Sequence, residues 1–357
     1  MHVFSVVGAR PQFIKAAPLS AALRKNHSEF LVHTGQHYDD AMSEVFFRQL
    51  GIPAPDVNLG VGSGGHAEQT AAMMLPLEQL IMEQRPDWVL VYGDTNSTLA
   101  AALAAAKIHF PVAHVEAGLR SYNRAMPEEI NRVLTDHLST LLFCPTQAAV
   151  DNLAKEGITA GVSMTGDIMA DAVLRNVETA RRESTILRQF GLQPDIPYIA
   201  ATIHRPSNTD SAENLAAIIE ALNHAPMPVV FPAHPRTRKM IELYGLQTGE
   251  NLRLVNPLGY GDMLALVDGA AALVTDSGGL QKESYILQTP CITIRSETEW
   301  VETVESGWNR LCAAERNAIL NQIDEVLQSH SDSHPNLYGD GRAAERIVAA
   351  LEAGRQG

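Results

Sequence analysis

Short apolar runs alternate with helix-length segments along almost the whole chain. Val3 to Val7, Phe30 to Thr34, Trp88 to Tyr92, Pro111 to Val115, Leu141 to Cys144 and Val162 to Met164 form a first series. Tyr198 to Thr202, Pro228 to Phe231, Leu252 to Val255, Ala271 to Val274 and Cys291 to Ile294 form a second. Strands apolar on both faces and separated by helices predict parallel sheets covered on both sides, an α/β architecture of Rossmann-like layers. Helical periodicity supports the intervening segments. Ile130, Val133, Leu134, Leu138 and Leu141 recur at three- and four-residue spacing behind Pro127 in a first-turn position, and Leu215, Ile218, Ile219 and Leu222 do the same. Another helix is predicted from the Gly8-Ala9-Arg10-Pro11 turn to near Lys25.

The strand rhythm stops in the charged, helical segment from Gly166 to Gln193, which predicts a boundary between two α/β domains, residues 1–168 and 169–340. A last helix over 341–355 is free to pack on either. The length of 357 residues suits two domains, and 45% hydrophobic with 19% charged residues is ordinary for a globular protein. A formal net charge of -14 argues against an extended nucleic-acid surface or a polybasic membrane contact. Cys144, Cys291 and Cys312 are far apart and read as buried free thiols. The N-terminal residues lack a signal-peptide pattern and no apolar run approaches roughly 18 residues, so a cytoplasmic protein is expected.

Ligands of open parallel sheets bind beyond the strands' C-terminal ends, so the polar residues found there are the candidates for chemistry. They are Arg10, Gln12 and Lys15; Gln36 and His37; Asp94; Glu116, with Arg120 close behind; His204 and Arg205; His234 and Arg236; and Asp276, Ser277 and Glu283. The run A-L-V-T-D-S-G-G-L-Q-K-E from Ala272 to Glu283 reads as strand, turn and helix N-terminus, where Gly278 and Gly279 admit a phosphate to free backbone N–H groups. The same run also suits a plain connection with Asp276 or Ser277 as helix cap. No G-x-G-x-x-G or Walker pattern occurs, which disfavours a dinucleotide cofactor or nucleotide triphosphatase, and the histidines lack metal-ligand spacing. No cofactor and no metal are expected. Asp94 could equally cap a helix starting near Ser97, and Glu128 could merely complement a helix dipole. Glu116 directly follows an apolar strand, where a carboxylate needs a partner or a task; Arg120 could be that partner.

Taken together, G-A-R-P-Q-F-I-K (8–15), Y-G-D-T (92–95), H-V-E-A-G-L-R (114–120), P-E-E-I-N-R (127–132), H-R (204–205), H-P-R (234–236) and T-D-S-G-G-L-Q-K-E (275–283) closely resemble the non-hydrolysing UDP-N-acetylglucosamine 2-epimerase family, essentially end to end. The resemblance implies a glycosyltransferase-B type fold of two Rossmann-like domains facing a cleft, a homodimer, UDP mainly on the second domain, and a C-terminal helix crossing back to the first. It implies a UDP-sugar substrate and inversion at carbon 2 through loss of UDP, a 2-acetamidoglucal and re-addition. By motif match, Asp94, Glu116 and Glu128 are the carboxylates of that apparatus and His204 is an acid or phosphate-side partner. Arg10 and Lys15 match positions that meet the diphosphate, Ser277, Gly278, Gly279 and Glu283 the nucleotide seat, and His234 a cleft-lining position. Gln36, His37, Arg205 and Arg236 complete the candidate binding set.

Three departures from the commonest pattern are expected to surround the sugar or a regulatory nucleotide: Gln12 in place of Glu, T-G-Q-H-Y-D at 34–39, and T-E-W-V-E at 298–302. They are more like the branch acting on UDP-2,3-diacetamido-2,3-dideoxyglucuronate for surface polysaccharides, although Trp300 also suits a packed core. A hydrolysing 2-epimerase, a glycosyltransferase of the same fold and a non-catalytic UDP-sugar sensor remain as alternatives.

Overall fold

The computed structural model describes residues 1–36, 51–192, 196–328 and 333–355. Two compact units divide the chain, Met1–Arg175 with Tyr338–Gly357, and Asn176–Leu337. The first carries β1 (His2–Val7), α1 (Arg10–Leu23), β2 (Ser28–His33), β3 (Val57–Asn58), α2 (His66–Gln84), β4 (Trp88–Tyr92), α3 (Asn96–Lys107), β5 (Val112–Val115), α4 (Pro127–Leu138), β6 (Leu141–Cys144), α5 (Gln147–Lys155), β7 (Val162–Met164) and the start of α6 (Ile168–Glu183). The second carries α7 (Ile186–Gln189), β8 (Ile199–Thr202), α8 (Pro206–Thr209), α9 (Ala212–Asn223), β9 (Val229–Pro232), α10 (Pro235–Leu243), β10 (Leu252–Val255), α11 (Tyr260–Asp268), β11 (Ala272–Thr275), α12 (Gly278–Ile286), β12 (Cys291–Ile294), α13 (Val301–Glu305), β13 (Asn309–Cys312) and α14 (Arg316–Gln328). The final helix, α15 (Ala343–Gly354), belongs to the first unit.

Both sheets are parallel throughout, as runs apolar on both faces require. The first has the order β3-β2-β1-β4-β5-β6-β7 and the second β10-β9-β8-β11-β12-β13. Strand order reverses between β1 and β4 and between β8 and β11, the switch points at which sheets of this kind take ligands. In the first unit, Phe4, Val6, Val32, Val89 and Val91 pack against Met73, Leu77 and Ile81 of α2 and an alanine run in α3, Ala100 to Ala102 with Ala104 and Ala105. In the second, Ile199, Ala201, Phe231, Val274 and Ile292 meet Leu215, Ile218, Ile219 and Leu222 of α9.

Helix α15 lies against α1. Asp171 accepts the Ala343 and Ala344 backbone N–H groups at 3.0 and 2.8 Å, satisfying donors that a helix start leaves free, and Trp88 Nε1 donates to the Leu351 carbonyl at 3.1 Å. The three cysteines are buried and free; burial pushes the Cys144 thiol up to about 12 and those of Cys291 and Cys312 up to about 11, so they are inert at neutral pH. Among the described residues, no helix is long and apolar enough to cross a membrane.

Among the described residues, two strands lie outside the apolar series. β3 is a two-residue edge strand, and β13 contains Asn309, a buried amide that accepts from Thr293 Oγ1 at 2.7 Å and donates to Gln281 Oε1 and Thr303 Oγ1, both at 3.1 Å. Leu141 belongs to β6 rather than to the helix before it. That helix, α4, also turns against its apolar periodicity. Ile130 and Leu134 are exposed, while Glu129, Asn131, Arg132, Thr135 and Asp136 face inward because polar groups beneath the helix require them.

Gly8 closes β1 where no side chain fits, since a Cβ there would lie 2.1 Å from Thr34 Oγ1 and 2.2 Å from Ser97 Oγ. Those hydroxyls bond to each other at 2.8 Å and cannot part freely. Gly8→Ala is therefore expected to cost about 1–3 kcal/mol, read as a lower Tm in thermal unfolding; an unchanged Tm would refute the clash.

Candidate active site

The first unit gathers its ionisable groups at the ends of β1, β4 and β5. Lys15, from α1, pairs with Glu116, the residue after β5, and their side chains are only 12% and 7% exposed. Glu116 adopts φ +71°, a conformation costing a non-glycine residue about 1–3 kcal/mol, and its N–H is held by the Phe143 carbonyl at 3.1 Å. Gly93 also has positive φ, and a Cβ there would come within 3.3 Å of Lys15 Nζ and 3.5 Å of Glu116 Oε2. Next to it, Asp94 pairs with Arg132, whose Nη1 also donates to Glu129 Oε2 at 2.9 Å. Glu129 accepts from Ser121 N at 2.9 Å, Ser121 Oγ at 2.8 Å and Tyr122 N at 2.9 Å. Burial works to raise its pKa, but these bonds and Arg132 together hold the carboxyl below its ordinary range.

Two alternatives left by the sequence resolve here. Thr95, not Asp94, caps α3, its hydroxyl accepting from Thr98 N. Arg120 is not the partner of Glu116; it donates to Asp136 Oδ2 at 2.7 Å and grips Glu156 with two bonds of 2.7 and 2.8 Å. Glu128 is exposed in the first turn of α4, while its neighbour Glu129 turns inward.

Asp136 ties these loops together from the inner face of α4. It accepts from Gly118 N at 3.1 Å and from Arg120, and meets His114 Nδ1 at 2.7 Å, while His114 Nε2 donates to the Gly93 carbonyl at 2.8 Å. Burial opposes the Asp136 charge, but His114 and Arg120 more than offset it and hold the carboxyl below its usual pKa. Arg132, Glu129 and Asp136 were absent from the candidate list, although the polar spacing of three and four residues behind Pro127 is a legible sign of them.

The glutamines of this region bond to the backbone around them. Gln12 is 1% exposed; its oxygen accepts from Gly8 N and Ala9 N at 2.8 and 3.0 Å, and its nitrogen donates to the Tyr92 carbonyl and Thr98 Oγ1 at 2.8 and 3.0 Å. That pattern needs an amide, so this departure from the family pattern belongs to packing, not to the sugar side. Gln36 Oε1 accepts from Ser97 N at 3.0 Å at the start of α3. A row of amides follows: Gln69 Oε1 accepts from Asn96 at 2.8 Å, Asn96 Oδ1 from Asn131 at 3.2 Å, and Asn131 also donates to the Asp94 carbonyl at 2.9 Å. His37 and the Arg10 side chain lie outside the described residues.

In the second unit, Ser277 caps α12, its Oγ accepting from Leu280 N at 3.5 Å, and a Cβ on Gly279 would meet nothing closer than 4.0 Å, so the helix start is open. Trp300 Nε1 donates to the Gly278 carbonyl at 2.9 Å, and Lys282 Nζ lies 4.1 Å from the centre of its ring. Trp300 is thus a buried prop of the turn. Glu283 is buried on the same helix. His204, at the end of β8, has Nδ1 3.3 Å from Asp276 Oδ1, and Arg205 reaches to 3.7 Å from Glu299. Arg236 is spent on an exposed pair with Asp210 at 2.6 Å, and His234 Nδ1 accepts from Arg236 N at 3.3 Å at the start of α10. Among the described residues, no cluster of three or more His, Cys, Asp or Glu could hold a metal ion.

The depressed Asp136 pKa stabilises the fold above the ordinary value of about 4, and the contribution disappears as pH falls through the native value. Asp136→Asn should therefore be less stable than the parent at pH 7, with the gap closing below about pH 4 in urea titrations. A gap independent of pH would sink this account.

Comparison with known proteins agrees with this architecture. The sequence profile described as UDP-N-acetylglucosamine 2-epimerase matches residues 21–352. A UDP-N-acetylglucosamine 2-epimerase homolog of Methanococcus maripaludis is 47% identical, over 98% of this chain and 99% of its own. The UDP-2,3-diacetamido-2,3-dideoxy-D-glucuronate 2-epimerase of Pseudomonas aeruginosa is 46% identical, over 98% and 99%. The crystal structure of the Methanocaldococcus jannaschii UDP-GlcNAc 2-epimerase in complex with UDP-GlcNAc and UDP superposes with a TM-score of 0.88 at 40% identity, covering 99% of this chain and 100% of that one. With parallel strands, strand-end carboxylates and full-length similarity in agreement, the chain belongs to the UDP-N-acetylglucosamine 2-epimerase family.

Proposed function

We propose that the protein inverts carbon 2 of a UDP-linked 2-acetamido sugar and returns the UDP-sugar intact. The observation that carries this reading is Glu116: a carboxylate at a strand end, in a strained conformation and paired with Lys15, beside the Asp94–Arg132 pair. Strain is retained where the surroundings over-determine it, and at a cluster of ionised groups that marks a working site.

The reaction explains the residue types. With the bond from carbon 1 to UDP intact, the proton on carbon 2 is too weakly acidic to remove. As that bond breaks, its electron pair leaves with UDP, and the pair freed from the C2–H bond forms the C1=C2 double bond while a carboxylate takes the proton. Carboxylates beside the pyranose also support the cationic character at carbon 1. Reprotonation on the opposite face and re-addition of UDP oxygen to carbon 1 complete the inversion. Asp94, Glu116 and Glu128 are assigned to the proton transfers, with His204 as acid or phosphate-side partner. The α12 start at Ser277, Gly278 and Gly279 is assigned to the diphosphate, with Arg10, Lys15 and Arg205, and Glu283 to the ribose hydroxyls. Gln36, His37, His234 and Arg236 remain secondary assignments.

The sugar is either N-acetylglucosamine or its 2,3-diacetamido uronate congener; the Methanococcus relative at 47% identity and the Pseudomonas relative at 46% support the two about equally. A cytoplasmic supply of surface-polysaccharide precursors goes with either. The outward apolar face of α4 suits a homodimer, since Ile130 lines a groove with Met74 of α2 and Leu99 of α3.

Proton NMR in heavy water is expected to show deuterium entering carbon 2 with the UDP linkage retained, using both UDP-sugars in parallel. Free sugar would indicate a hydrolase, transfer to an acceptor a transferase, and binding without turnover a sensor. Glu116→Gln should lower exchange by about 10²-fold or more while UDP affinity is largely kept; unchanged exchange would remove Glu116 from the chemistry. Ile130→Glu should shift the species seen by light scattering from dimer to monomer, and a dimeric variant would exclude this groove as the interface.

A further inference from the structure

We infer that Asp276 is a positioning residue for the reaction, one that fixes which nitrogen of His204 carries the proton. The inference rests on the reading of His204 as a site residue and adds to it a second group and a definite tautomer.

Asp276 follows β11 directly and its side chain is fully buried. A carboxylate removed from water needs donors on both oxygens, and each here has its own set. Oδ2 accepts from Arg205 N at 3.0 Å and from Asn208 Nδ2 at 3.0 Å. Oδ1 faces His204, taking its backbone N–H at 3.1 Å and standing 3.3 Å from Nδ1 of its ring. The His204 N–H is shared with Oδ2 at 3.2 Å. Both oxygens therefore secure the turn from β8 into α8, and Oδ1 also stands beside the imidazole that the turn presents.

A carboxylate can only accept, so Oδ1 at 3.3 Å favours the tautomer with hydrogen on Nδ1. The His204 side chain is 49% exposed, so the ring edge away from Asp276 is the one a substrate can reach. Held this way, the imidazole offers Nε2 in a defined state rather than as a mixture of tautomers. Arg205 is directed to Glu299 at 3.7 Å, and Glu299 is held by Arg295 at 2.7 Å.

Asp276→Asn separates the two jobs. Its single oxygen remains where Arg205 N and Asn208 Nδ2 require an acceptor, which leaves the amide NH2 facing Nδ1. A donor there forces Nδ1 to become the acceptor and moves the hydrogen to Nε2. The turn keeps the bonds that Arg205 N, Asn208 Nδ2 and His204 N make to that oxygen and loses only the second bond of His204 N, while the tautomer reverses.

The test uses full-length protein carrying 15N-histidine, with the His204 resonances assigned from their loss in His204→Gln. In the parent, Nδ1 is expected to be protonated; an Nε2–H neutral tautomer there would overturn the proposal without any variant at position 276. Asp276→Asn should reverse the tautomer and slow carbon 2 exchange by about 10- to 100-fold, part of what a positioned acid or base supplies, with UDP affinity retained. In the His204→Gln background the same change should add little. An unreversed tautomer, or an equal loss in both backgrounds, would show a merely structural carboxylate and reject the proposal. Undiminished exchange in His204→Gln alone would remove His204 itself from the reaction, and Asp276 with it, a failure told apart by which variant is silent.

Discussion

A carboxylate with no access to water, Asp136, holds the first unit's site together. It gathers the His114 ring, the Arg120 guanidinium and the Gly118 N–H, and through His114 it reaches the Gly93 carbonyl. Asp94 follows Gly93, and Glu116 lies between His114 and Gly118. Desolvating a carboxylate is tolerable only when its lone pairs are used, and loss of one partner leaves a buried charge at a cost of about 3–5 kcal/mol. The loops that carry the two carboxylates therefore share one anchor and cannot drift independently. The left-handed backbone of Glu116 is sustained by that constraint.

The sheets were legible because parallel strands buried on both faces leave continuous apolar runs. Where burial is satisfied by pairing instead of hydrophobicity, the reading thinned: β13 hides Asn309 behind threonine and glutamine partners, and β3 is too short to register. Helix α4 was found at the right place but with its faces exchanged. Periodicity reports that two faces differ, not which one is inside, and here the inner one carries Glu129, Arg132 and Asp136.

The candidate site was legible as a set of strand ends rather than as a set of contacts. Glu116 was singled out on the cost of a lone buried carboxylate, yet its partner is Lys15, about a hundred residues earlier in the chain, and not the nearby Arg120. Pairings across that distance are created by strand order, which no local pattern records. Departures from a family pattern are equally ambiguous before the fold is known. Gln12 proves to be an amide satisfied on all sides, and Trp300 a prop beneath Gly278.

The alanine run of α3 has a consequence beyond close packing. Because Ala100, Ala101, Ala102, Ala104 and Ala105 have no exposed surface, the helix rests almost directly on its neighbours, and a bulkier residue anywhere along it would lever the whole rod outward. The near end of that rod is Thr95, adjacent to Asp94. Harmful changes in this remote, chemically silent stretch would thus be felt beside Asp94, as faults of aim in a side chain that had not itself been altered.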